Sequence, residues 1–215
     1  QTCALPIFGF GSNTVSALRL ENGNDPVTNT LIEGCMFRGP RGYEGGAIFV
    51  FAPVDGAVQI RESTFEDCGS SSRGGAVKVW GSSTSSSNVT FEGCIFTGNN
   101  ADESGGAIHT SFPISLINCT FAGNSAASSG GAIYAAGAIT MTGCLFENNV
   151  AIDTGGAVTL TTTSEPSTLI DNVFQNNYAL SAGGGLALQN TTASITGGSF
   201  AGNDAQYAGG LWMLG

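Results

Sequence analysis

The chain has 215 residues, 16 acidic and six basic side chains, a net charge of −10 and only 10% charged residues. That charge balance excludes nucleic acid as a partner class, because phosphate binding rests on Lys and Arg. Glycine, at 33 residues, and the shortage of charged side chains leave no long segment with good helix propensity, and no run of 18 apolar residues offers a membrane-spanning helix.

In chain order, the first segment is Gln1–Ile7, QTCALPI. It reads as the translation of a sequencing-library adapter. With no initiator Met and no signal peptide in view, the chain reads as a fragment. Residues 1–7 are therefore set aside, and 8–215 are taken as one domain, a piece of a longer protein.

From residue 30 onward a repeat takes over. Phenylalanines at 37, 65, 96, 121, 146, 174 and 200 are spaced by 28, 31, 25, 25, 28 and 26 residues, and a Gly-Gly pair follows each. Five residues before each Phe stand Ile32, Ile60, Phe91, Leu116, Met141, Leu169 and Ile195. Two before stand Cys35, Cys94, Cys119 and Cys144; three after stand Asn99, Asn124, Asn149, Asn177 and Asn203; five after stand Ala101, Ala126, Ala151, Ala179 and Ala205. Twelve and fourteen after, the inward pairs run from Val77/Val79 to Leu186/Leu188 and Trp212/Leu214; the first repeat is one residue short, so its pair is Ile48/Val50.

The spacing within these columns is two, the period of a strand. Between the fifth and second residues before Phe the phase slips, often at a glycine, which predicts a bend. A period of 25–31 residues means an array in which each unit is buried against its neighbours. The expected fold is all-β: a parallel β-helix of about seven coils. Apolar columns become interior ladders, and the Asn column becomes a turn ladder whose amides bond along the stack.

At the motifs Phe96-x-x-Asn99 and Gly105-Gly106-Ala107-Ile108, and their copies over residues 30–215, the sequence resembles the repeats of the polymorphic outer-membrane proteins, a chlamydial surface family. The last two units drift, with Gly185 in place of Ala and Leu211 after the final glycine pair. The resemblance implies a right-handed parallel β-helix of the pectate-lyase-like class, with an adhesive or structural role at the cell surface, and it brings no catalytic residue.

The remaining chemistry is sparse. The only His is His109, and no Arg or Lys follows Lys78. The acidic doublets Glu66-Asp67 and Asp102-Glu103 fall in turns at different columns, so they are not expected to converge as the carboxylate pair a glycosidase needs. A polysaccharide lyase or hydrolase is the lesser reading. No catalytic residue, cofactor or metal site is expected. A straight column of Cys94, Cys119 and Cys144 is neither tetrahedral nor accompanied by His, so buried thiols are expected rather than zinc.

Modification and contact sites complete the reading. The sequons at Asn88, Asn118 and Asn190 mark glycosylation sites, Asn190 foremost because it falls in a loop. The Ser/Thr-rich insertions 81–88 and 161–167, with Thr161–Thr163, suit O-linked sugars. On the strand after each glycine pair, the outward positions gather aromatic rings: Phe49, Phe51, Trp80 and Tyr134, with His109 among them. This flank is expected to be an interface for another subunit or for glycans. The expected function is a non-catalytic, extracellular structural segment of a surface fibre or appendage; the alternative is an adhesin passenger domain.

Overall fold

The computed structural model describes residues 7–8, 16–21, 29–52, 56–81, 88–161 and 165–215. Every strand in them runs parallel to its sheet neighbours, and the sheets hold eight, eight, seven and seven strands. The result is a right-handed parallel β-helix with four strands per coil. One coil shows the pattern: Asn88–Glu92 precedes the Phe, Ile95–Thr97 carries it, the short Asn100–Ala101 follows, and Ile108–Thr110 comes after the glycine pair. We call the four stacks the pre-Phe, Phe, short and post-glycine sheets.

The corners explain why the columns slip phase. Three residues before each Phe, Gly34, Glu62, Gly93, Asn118, Gly143, Asp171 and Gly197 all take positive φ, between 44° and 66°. This left-handed turn re-aims the chain, so that both the fifth and the second residue before Phe point inward. Glycine pays no steric penalty there, and Asn and Asp tolerate the conformation. The second glycine of each pair has another role. A Cβ on Gly131 would collide with the carbonyl oxygen of Gly156 in the next coil, so these positions set how closely the coils approach.

The core is a set of ladders. From Phe37 to Phe200 the rings stack with centroids 4.6–5.0 Å apart and planes within 1–6° of parallel. Six of the seven are fully buried, each gaining about 1.5–3 kcal/mol from burial. Beside them runs the Asn ladder. The Asn124 side-chain amide donates to Asn149 Oδ1 at 2.9 Å and to the Phe96 carbonyl at 3.0 Å, while Asn149 Oδ1 also accepts from the Asn124 backbone N–H at 3.0 Å. The pattern repeats at Asn99, Asn149 and Asn177. A buried corner thereby has its polar groups satisfied, as buried polar groups must be.

Two sequence expectations need correction. Ile7 is not outside the fold: Ile7–Phe8 is a strand, with Ile7 paired to Phe37; residues 1–6 lie outside the described residues. In the last coil the inward pair is Leu211 and Met213, which pair with Leu186 and Leu188, whereas Trp212 and Leu214 pair with Ala187 and Gln189. The preceding turn is one residue shorter. The register shifts between Ala179 and Ala182, and Ala208 takes a positive-φ corner at 52°.

Candidate interaction surfaces

The outward column of the post-glycine sheet runs through Phe49, Lys78, His109, Tyr134, Thr159 and Ala187. The sequence expectation put this column in solvent, but the structure buries most of it. Phe49 is 5% exposed and His109 4%, with Lys78, Thr159 and Ala187 also buried and Tyr134 half-buried. The cause is the turn before each glycine pair, which folds back over the column. Glu44 from that turn pairs with the Lys78 ammonium. The Thr159 hydroxyl donates to the Thr154 carbonyl at 2.8 Å. The Arg19 guanidinium lies 4.5 Å over the Phe49 ring, and His109 stacks on Tyr134 at 5.0 Å. Alternation predicts the direction of a side chain but not what covers it.

His109 is therefore no surface ligand. Its Nδ1 is buried and has no hydrogen-bond partner among the described residues. Burial first, then the Lys78 and Arg73 charges, push its pKa down to about 3, so it is neutral at ordinary pH. Of the expected aromatic flank, Phe51 and Trp80 stay open, at 37% and 41% exposure. They are neighbours in register, and the Lys78 ammonium sits 4.9 Å over the Trp80 ring.

A second apolar surface escaped the sequence reading. On the outer face of the short sheet, Val150 and Tyr178 are register partners, and Ile152 and Leu180 follow them two residues on. Their exposures are 37%, 39%, 53% and 53%. The signal was present: these residues flank the inward Ala151 and Ala179, so alternation places them outside.

The charged groups are used between coils. Arg38 Nε donates to Glu66 at 2.8 Å, Arg73 Nε lies 2.6 Å from Glu103, and Arg61 Nε lies 3.2 Å from Glu92. Both acidic doublets thus lend one carboxylate to a ladder ion pair. Around Arg61, the residues Glu33, Glu62, Glu92, Gly93 and Asn118 line a shallow depression.

The sequon asparagines are spread over the molecule. Asn190 is exposed, with φ 48°, just after the strand Leu186–Gln189. Asn118 is exposed at its left-handed corner. Asn88 opens a strand and pairs with Ala57. Residues 82–87 and 162–164, which hold most of the Ser/Thr-rich insertions including Thr162 and Thr163, lie outside the described residues.

Cys35, Cys68, Cys94, Cys119 and Cys144 are free and buried. Hydrogen bonds with Cys144 and Cys94, together with burial, hold the Cys119 thiol protonated. Burial pushes Cys68 up to about 12. The hydrogen bond with Cys119 lowers the pKa of Cys94 and Cys144 in turn, and all five thiols are buried, packing as small apolar groups.

Coil geometry, ladders and corners agree with a family comparison: the model of the right handed beta helix region matches residues 16–205. The chain belongs to that family. No curated protein and no solved structure matches it. Within right handed beta helix proteins the shared part is the scaffold, and the outer faces described above are where members acquire separate functions.

Proposed function

We propose that this chain is a non-catalytic, extracellular structural segment of a surface assembly, using its flanks to contact copies of itself. The carrying observation is the exposed Val150–Ile152–Tyr178–Leu180 patch on two successive coils, since contiguous apolar surface marks an interaction site. The Phe51–Trp80 pair is a second, smaller contact. The ion pairs between coils support the structural reading, because the carboxylates they hold serve the stack. The repeat motifs shared with polymorphic outer-membrane proteins favour a cell-surface setting, with Asn190, Asn118 and Asn88 as glycan sites. Sedimentation equilibrium tests the reading. The chain is expected to self-associate, and Leu180→Lys to weaken that association; a chain that stays monomeric at all concentrations would contradict it.

An adhesin passenger is the second reading, favoured by the exposed Phe51 and Trp80 rings beside the Lys78 ammonium. Glycan-array binding that Trp80→Ala abolishes would select it over self-assembly.

A further inference from the structure

We propose that the outer face of the pre-Phe sheet in the last four coils binds the surface of ice. Two outward columns run there in unbroken register. The first is Ser115, Thr140, Thr168 and Ser194; the second is Ile117, Thr142, Ile170 and Thr196. All are half-buried or exposed. The hydroxyls of Ser115, Thr140, Thr142, Thr168, Ser194 and Thr196 make no hydrogen bond to another described residue. The backbone amides and carbonyls between these strands are taken up by the sheet ladder, so the face presents side chains alone.

The array is periodic in two directions. Along the rod the repeat is that of the Phe stack in the same coils, 4.7–4.9 Å. Across it, two residues of strand separate the columns by about 6.6 Å. The three strand pairings that build the face carry no register shift, so the two columns stay aligned from coil to coil. A regular, two-dimensional lattice of hydroxyl and methyl groups favours a ligand that repeats on the same lattice. Many weak contacts then add without an ordering cost for the protein.

The chemistry of the face narrows the ligand to ice. Neither column carries a charge in these four coils, although the whole chain carries −10, so the face matches an uncharged lattice and offers a mineral no carboxylate. Neither column carries an aromatic ring for a sugar to stack on; Phe51, Trp80 and Tyr178 stand on other sheets. Hydroxyls that hold water oxygens, with methyl groups between them, suit a surface of ordered water, whose oxygen rows repeat at comparable spacings. The N-terminal coils lack this character, because Arg61 and Glu92 occupy the second column there.

The test is partition of the purified, fluorescently tagged chain between slowly grown ice and the remaining liquid. The wild-type chain is expected to concentrate in the ice. Thr140→Lys with Thr168→Lys, folded by circular dichroism, is expected to fall to the level of a non-binding protein. Thr97→Lys, exposed on the Phe sheet, is expected to partition as wild type. Should the double lysine variant not fold, Thr140→Val with Thr168→Val removes the hydroxyls at constant volume and is expected to reduce the enrichment. Wild-type exclusion from ice, or a folded double variant still enriched in it, overturns the proposal. Retention on microcrystalline cellulose or chitin without ice enrichment also overturns it, in favour of a polysaccharide. The inference does not rest on self-association, so ice partition and sedimentation can fail separately.

Discussion

At the scale of single residues, the interior tolerates little. Phe121 is fully buried, with its ring 4.7 Å from Phe96 and 4.9 Å from Phe146. Phe121→Ala is expected to cost about 3–5 kcal/mol in denaturant unfolding; a loss below 1 kcal/mol would mean the stack is not what holds the coil. His109 predicts a pH dependence whose sign follows from its environment. The folded-state pKa is about 3 against an ordinary 6.5, so between those values the unfolded chain binds a proton that the folded chain refuses. Stability from this site is intact above pH 6.5 and is lost as pH falls toward 3, on the order of a few kcal/mol at the acid end. The melting temperature of wild type should therefore fall relative to that of His109→Gln as the pH drops from 6.5 toward 3. Parallel curves would show that His109 is not buried neutral.

At the scale of the element, the Asn corner and the thiol column make opposite demands. Asn149→Ala removes an acceptor used by the Asn124 backbone and side-chain amides, together with two donated bonds. Leaving those buried groups unpaired is expected to cost about 2–4 kcal/mol. The neighbouring Asn148 is exposed at φ 55°, so Asn148→Gly is expected to be neutral or mildly stabilising. Equal losses at both positions in urea unfolding would remove the distinction between ladder and corner. The five described thiols are expected to resist iodoacetamide at pH 8 until the chain unfolds, as followed by intact mass, because all five are buried away from the reagent.

On the scale of the whole molecule, one scaffold presents several unlike faces. The N-terminal coils are laced by Arg–Glu pairs, the short sheet exposes Val150, Ile152, Tyr178 and Leu180, and the pre-Phe sheet ends in an uncharged Ser/Thr/Ile array. Distant faces on a rigid rod act independently, so Leu180→Lys is expected to change sedimentation without changing the melting temperature. A matched fall in both would make the patch part of the fold. The intact mass of natively produced protein is expected to exceed that of the bare polypeptide, with Asn190→Gln removing the largest share. A mass equal to the polypeptide would refute glycosylation at the three sequons.

The periodicity determined the scaffold because a solenoid converts sequence period directly into space. A residue that recurs every 25–31 positions is buried against its own copy, so the Phe, Asn and Gly-Gly columns were legible before any coordinate. The same logic located the exposed Phe51 and Trp80. It misplaced Phe49 and His109 because alternation records which way a side chain points, whereas burial depends on what crosses it: the Arg19 guanidinium over one ring, Tyr134 and the Lys78–Glu44 pair around the other. It also misassigned Trp212 and Leu214, because a deletion of one residue in a turn moves every later side chain to the opposite face. The two-dimensional Ser/Thr array was hidden as well, since it exists only once strands from four separate repeats are brought into register.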